Sequence, residues 1–290
     1  MALPSWHSYG LLLLLALSLI PVEGGKILVI PQDGSHWLSM RPVVEKLQQK
    51  GHQVVVVVPS TSLYMSAEEP PSYTVKVFPT PYPEGYLAEK LKEFVDTHFV
   101  QQSTLKLIIA SYQSTMELSQ VFFLNCRGLL QDEELMKYLR ESHFDVVFTD
   151  PILMCGPVVA EYLAVPSVFF LRGFPCGMDL DATQCPNPPS YTPRFFLYHS
   201  DTMTFIQRVK NMLVHLLELF YCKPIYAKIE ELAQEVLHRK VTATELLSQG
   251  SFWLMRYDFV FEFPKPVMPN MAFIGGINCQ QKKKLSQAKM

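Results

Sequence analysis

The chain has 290 residues, 49% of them hydrophobic and 18% charged, with a formal net charge of -2. That length and apolar share are enough for a large core and exclude a disordered chain. Without a basic surplus the field that draws a protein to nucleic acid is missing, and the one basic run, Lys282 to Lys284, reads as a solvated tail.

The first element in chain order is an address. "GLLLLLALSLIPVEGG" places an apolar block, Leu11 to Ile20, before a proline and small residues, which predicts a signal peptide over residues 1–25, cleaved near Gly24 or Gly25. Its charged leading region is weak, with only His7, and the block is too short to span a bilayer. "MLVHLLELFYC", Met212 to Cys222, is the next best candidate for a span; it is short and carries His215 and Glu218, so no transmembrane anchor is expected after the leader.

"KILVI" (Lys26 to Ile30) and "QVVVVV" (Gln53 to Val58) are apolar runs separated by a helix-length segment. Strands apolar on both faces and joined by a crossover helix predict a parallel sheet covered on both sides. In that helix Leu38, Val43, Val44 and Leu47 fall near helical spacing; Ser35 is the expected N-cap, Gly51 the stop, and Pro42 is expected to shift or kink the first turn. Beyond "TVKVFPT" (Thr74 to Thr80), Glu84 to Arg140 reads as a helical insertion. "FDVVFTDP" (Phe144 to Pro151), "CGPVVAEYLAV" and "PSVFFL" (Pro166 to Leu171) resume strand, helix and strand. Pro175 to Ser200 reads as a surface loop, Met203 to Leu237 as helices, and "NMAFIGGI" (Asn270 to Ile277) as a last strand. The fold class is therefore α/β, a Rossmann-like doubly wound parallel sheet with a helical insertion, in one domain over 26–287.

The six cysteines sit in an oxidising lumen if the leader is read correctly, so disulfides are permitted. No C-x-x-C pair occurs, which argues against structural zinc and thioredoxin-type chemistry. Cys176 and Cys185 form the best local pair, with two buried free thiols the equal alternative. No N-glycosylation acceptor is present.

In an open parallel sheet, ligands bind beyond the carboxyl ends of the strands. His36 follows the first strand there, and Asp150 follows another. Singly, each has a plainer reading, His36 as a solvated or capping residue at a helix start and Asp150 as turn chemistry before Pro151. Together they suggest a carboxylate that orients an imidazole, whose second nitrogen takes a proton from a substrate hydroxyl. Other chemistries fall away. "DGSHW" has one glycine where a dinucleotide fingerprint needs three, no P-loop occurs, Ser35 lacks the G-x-S-x-G frame, and "GGIN" at Gly275 to Asn278 reads as a turn. The aromatic doublets Phe122–Phe123, Phe169–Phe170 and Phe195–Phe196 read first as core, although 19 phenylalanines and 13 methionines would suit an adaptable apolar pocket.

"GKILVIPQDGSHWLSM", "FDVVFTDP", "PSVFFLRGFPC", "TQCPNPPSYTPR", "DTMTFIQRVKNML" and "PKPVMPNMAFIGGINC" resemble the N-terminal half of a vertebrate UDP-glucuronosyltransferase of family 1, in order, from the leader to about Gln287. The resemblance implies the N-terminal, acceptor-binding domain of a glycosyltransferase B (GT-B) fold, with His36 as catalytic base and Asp150 as its partner. It implies no bound cofactor and no metal; the co-substrate, UDP-glucuronic acid, belongs to the family's C-terminal half. Acceptors would be lipophilic small molecules such as phenols and steroids, with pocket walls from Glu84 to Arg140 and from Arg172 to Tyr198. Residence in the endoplasmic reticulum lumen, homo- or hetero-oligomers with full-length relatives and peripheral membrane association follow as expectations. Over 288–290 the sequence departs from the family, and donor domain and membrane helix are expected to be absent, leaving a chain inactive alone. The alternative is a non-catalytic partner that binds acceptors or regulates full-length transferases.

Overall fold

The computed structural model describes residues 24–65, 72–100, 103–174, 177–194, 197, 199–258, 260 and 262–280. Residues 1–23 of the leader, the basic run, Cys176, Phe195 and Phe196 lie outside them. Seven parallel strands form one sheet: β1 (Lys26–Ile30), β2 (Gln53–Pro59), β3 (Thr74–Phe78), β4 (Val146–Thr149), β5 (Ser167–Leu171), β6 (Gly250–Met255) and β7 (Met271–Phe273), in the order β3-β2-β1-β4-β5-β6-β7. The chain steps outward from β1 to β3 and then returns to the other side of β1, so the order reverses between β1 and β4. Ile27 to Ile30 stand opposite Val146 to Thr149 in that pairing.

Both faces of the sheet are buried, which is why its inner strands are unbroken apolar runs. Alternation along β1 sends Leu28 and Ile30 to one core and Ile27 and Val29 to the other. The second core is closed by α1 (Ser35–Gln49), through Trp37, Met40 and Val44. The first takes most of the remaining helices, while Leu87 of the helix at 86–99 packs in a third, small cluster with Tyr82 and Val121. The insertion supplies α2 (Tyr86–Phe99), α3 (Thr104–Leu130) and α4 (Glu133–Glu141); then come α5 (Cys155–Leu163), α6 (Met178–Ala182), α7 (Phe205–Leu237) and α8 (Ala243–Ser248).

Several expectations need correction. Gly34, not Ser35, is the N-cap of α1: it sits at φ 84°, open to glycine but strained for a side chain, and Ser35 is the first helical residue. Pro42 lies in the third turn of an uninterrupted helix rather than in its first turn. The described part of 175–200 is a surface loop only beyond Cys185. It contains α6, and Met178, Leu180, Ala182 and Cys185 pack into the first core. Strand β6 and helix α8 were not anticipated, and the last strand is three residues long. Cys185 is a buried free thiol, so it does not pair with Cys176; Cys126 and Cys155 form a disulfide with Cα atoms 5.0 Å apart, and Cys222 is also disulfide-bonded. Phe169 and Phe170 are core residues, as expected, on opposite faces.

Candidate active site

At the reversal between β1 and β4 the neighbouring loops leave the sheet in opposite directions and open a crevice. His36 enters it from the first turn of α1. Burial of Trp37 beneath the helix fixes the rotation of α1, and His36 is left with 26% of its side chain exposed. The loop before it is held by Asp33, a buried carboxylate that accepts hydrogen bonds from the backbone N–H groups of Gly34 (2.6 Å) and Leu63 (2.6 Å). The approach to α1 is thereby tied to the segment after β2.

Asp150 enters from the end of β4 and is wholly buried. The Thr149 hydroxyl beside it donates to the Ile30 carbonyl at 2.6 Å and so pins the carboxyl ends of β1 and β4 together. Gly156, at the start of α5, packs so closely on Thr149 that an added Cβ would lie 2.0 Å from its hydroxyl oxygen. The Cys126–Cys155 disulfide ties the same turn to α3. The insertion is therefore anchored five residues beyond Asp150.

His36 Nδ1 and Asp150 Oδ2 are 2.6 Å apart. The other carboxylate oxygen, Oδ1, accepts from the Ile152 backbone N–H at 3.1 Å. With Nδ1–H donated to the carboxylate, Nε2 carries a lone pair, and among the described residues no hydrogen bond to it is found. The arrangement can accept a proton at Nε2 while Asp150 fixes ring orientation and balances the charge that forms.

Three residues that sequence reasoning missed complete the wall. The Ser39 hydroxyl, one turn after His36, donates to the Ser35 carbonyl at 3.0 Å; it accepts from Arg256 Nη1 at 2.7 Å and from Asn278 Nδ2 at 3.0 Å. Arg256 leaves the carboxyl end of β6 and lies over the Phe170 ring. Burial pulls its guanidinium below the usual arginine range, Asp150 opposes that pull, and Arg172 adds to it. The residue after an apolar strand was the signal that found Asp150; it would have found Arg256 had β6 been recognised. Among the described residues no group of three His, Cys, Asp or Glu side chains could hold a metal ion.

The chain belongs to the class of doubly wound α/β domains, with a histidine bonded to a buried carboxylate at the reversal of strand order. Comparison with known proteins narrows that class. Residues 25–290 match the family described as UDP-glucoronosyl and UDP-glucosyl transferase, and the chain belongs to that family of glycosyltransferases. It is 49% identical to UDP-glucuronosyltransferase 1A6 of Homo sapiens over 92% of its own length and 50% of the relative's, and 47% identical to UDP-glucuronosyltransferase 1A1 of Homo sapiens over 95% and 51%. The chain spans about half the length of the curated relatives it matches. Among solved structures, the calicheamicin glycosyltransferase CalG4 is 14% identical over 87% of this chain and 53% of its own, with a TM-score of 0.49.

Proposed function

We propose that this chain is the acceptor-binding half of a UDP-glucuronosyltransferase, the N-terminal part of a GT-B fold, and that it carries the catalytic base. The observation that supports the reading is the 2.6 Å contact between His36 Nδ1 and buried Asp150 at the switch point. A lipophilic hydroxyl compound lies in the crevice with its oxygen near His36 Nε2. The oxygen attacks the anomeric carbon of UDP-glucuronic acid, the bond from that carbon to the diphosphate breaks, and the hydroxyl proton passes to Nε2. UDP leaves from the opposite side, so the anomeric centre inverts. Asp150 holds the imidazole in place and stabilises the imidazolium. The donor is bound by the other half of the enzyme. A leader over 1–25 and the Cys126–Cys155 disulfide support residence in an oxidising lumen, that of the endoplasmic reticulum.

The test joins the chain to the C-terminal half of a 1A relative and measures glucuronide formation from a simple phenol. His36→Ala and Asp150→Asn should each lower turnover by ~10² or more, the size expected of a positioned general base. Near-normal turnover in His36→Ala would remove the assignment.

A further inference from the structure

Gln32 lies in the loop that carries the chain from β1 to His36. Its side chain is 4% exposed, yet no hydrogen bond from either end of its amide is found among the described residues, and Oε1 is enclosed. The other buried groups around it are engaged. The Asp33 carboxylate accepts from the backbone N–H groups of Gly34, Leu63 and Tyr64, and His36 is bonded to Asp150. A buried amide without a partner lowers stability, which an apolar side chain of similar volume would not do. The loop does not need it for support, since Asp33 already ties it to the segment after β2 and Trp37 fixes α1 on the sheet.

Placement gives the amide a use. Gln32 follows the last residue of β1, Ile30, by two positions and precedes His36 by four, at the reversal of strand order. Asp33 turns toward the segment after β2, where Leu63 donates to it at 2.6 Å. Residues 31 and 32 are neither helix nor turn, and successive side chains of such an extended stretch leave on opposite sides. Gln32 is thereby directed away from β2 and into the opening between the carboxyl ends of β1 and β4, beside which Asp150 is wholly buried.

We propose that Gln32 is a specificity-determining residue of the crevice, where its amide N–H donates to a second oxygen of the substrate, a hydroxyl or ether oxygen carried on the same ring system as the hydroxyl that His36 deprotonates. The site then favours lipophilic phenols with two oxygen functions over phenols with one. A pocket built to hydrogen-bond a polar group rejects the analogue that lacks it, because the pocket's own buried polar group is then left unpaired. Gln32 moves no proton and breaks no bond; it selects and orients the ring. The inference rests on the transferase reading and names the substrates that this site prefers.

The test uses the joined enzyme and three nearly isosteric pairs, 2-, 3- and 4-methoxyphenol against 2-, 3- and 4-ethylphenol, so that oxygen replaces carbon at each ring position in turn. Gln32→Met keeps the volume and removes the amide. It should lower the ratio of kcat/KM for the methoxyphenol to kcat/KM for its ethylphenol by roughly 3- to 10-fold at one ring position or more, the size of one neutral hydrogen bond, while the ethylphenols themselves change by no more than about twofold. Gln32→Leu should do the same. Near-UV circular dichroism and a denaturant titration check the fold of both variants, and neither should be less stable than wild type, because the unpaired amide is gone. An unchanged ratio at all three positions would overturn the proposal, including the case in which both members of every pair fall together, the mark of a structural role. Equilibrium dialysis of the same six phenols against the full chain reads the same ratio with no donor present. If the joined enzyme forms no glucuronide from any of them, the transferase reading fails, and the dialysis ratio still decides for or against Gln32.

Discussion

Helices α1 and the first half of α7 partition their side chains in opposite senses. Helix α1 presses Trp37, Met40 and Val44 against the sheet and leaves His36 at the crevice, while α7 encloses Asn211 and Glu218 and turns Leu213, Leu217 and Phe220 outward. Each helix keeps something different on its open side, an imidazole in one case and an apolar stripe in the other. Hydrophobic periodicity reports that a helix is two-sided; which side points inward is decided by neighbours, here the Arg194 backbone and the Pro189 and Thr192 carbonyls.

The largest effect that bears on this contrast is in the core. Trp253 is fully buried on β6, edge-on to Phe169 with ring centroids 4.8 Å apart. Trp253→Ala should lower unfolding free energy by about 3–5 kcal/mol in a denaturant titration. Leu217→Ala should stay within about 0.5 kcal/mol, because an exposed leucine leaves no cavity. A core-sized loss at Leu217 would mean that the stripe is covered in the folded chain, and the contrast between the helices would break.

Next comes the anchor of the insertion. The Cys126–Cys155 bridge closes a loop with a sequence separation of 29, so Cys126→Ala/Cys155→Ala should cost roughly 3–4 kcal/mol by the chain-entropy argument. The loss belongs to the active-site side of the molecule. A denaturant titration of the double variant reads that loss, and an unchanged midpoint would show that the bridge does not anchor the insertion.

Much of the α1 region was legible in the sequence. Strands β1, β2, β4 and β5 lie inside a sheet covered on both faces, so each appears as an unbroken apolar run. The reversal that brings Ile30 beside Thr149 then follows from the strand–helix–strand alternation. His36 and Asp150 were found by position, as the residues that leave apolar strands, although their contact spans 114 residues of chain. Strand β6 was hidden because "GSFWLM" opens on glycine and serine and its Phe252 is 55% exposed. With it went Arg256, and the role of Ser39 as their shared acceptor could not be read from a serine inside a helix. The stretch 175–200 misled for a related reason. Its polar composition suggests solvent, yet Asp179 and Arg194 are buried by partners distant in sequence. Burial pushes the Asp179 carboxyl up against the opposing influence of Lys265, and no local pattern announces that pairing.

A smaller effect sharpens the view of α1 as one wall of the site. Ser39→Ala removes the common acceptor of Arg256 Nη1 and Asn278 Nδ2, leaving a partly buried guanidinium without its partner. The expected cost is about 1–3 kcal/mol, read by denaturant unfolding. Faster amide hydrogen exchange in the 3₁₀ turn Ile277–Gln280 should accompany it, since Asn278 tethers that turn to α1. If stability and exchange are both unchanged, Ser39 does not join β6 and the chain's last described turn to α1.

The smallest effect concerns the insertion and is read by pH. The Tyr82 hydroxyl donates to Asn125 Oδ1 on α3, and burial pushes the phenol up to about 12, against the lowering influence of that hydrogen bond. An unfolded tyrosine ionises near pH 10. Below about pH 10 both states hold the proton and stability is independent of this group. Above it the unfolded chain releases a proton that the folded chain keeps, so the equilibrium moves toward unfolding and the contribution of Tyr82 is lost as pH rises toward about 12. Burial raises Tyr226 and Tyr257 in the same direction, so the native chain should show a delayed phenolate absorbance that appears together with alkaline unfolding. Tyr82→Phe should cost about 1 kcal/mol at neutral pH through the lost hydrogen bond, and it should flatten the fall in stability between about pH 10 and 12. If Tyr82→Phe leaves that alkaline slope unchanged, Tyr82 is not the group that carries it, and the α3 contact supports the insertion through packing alone.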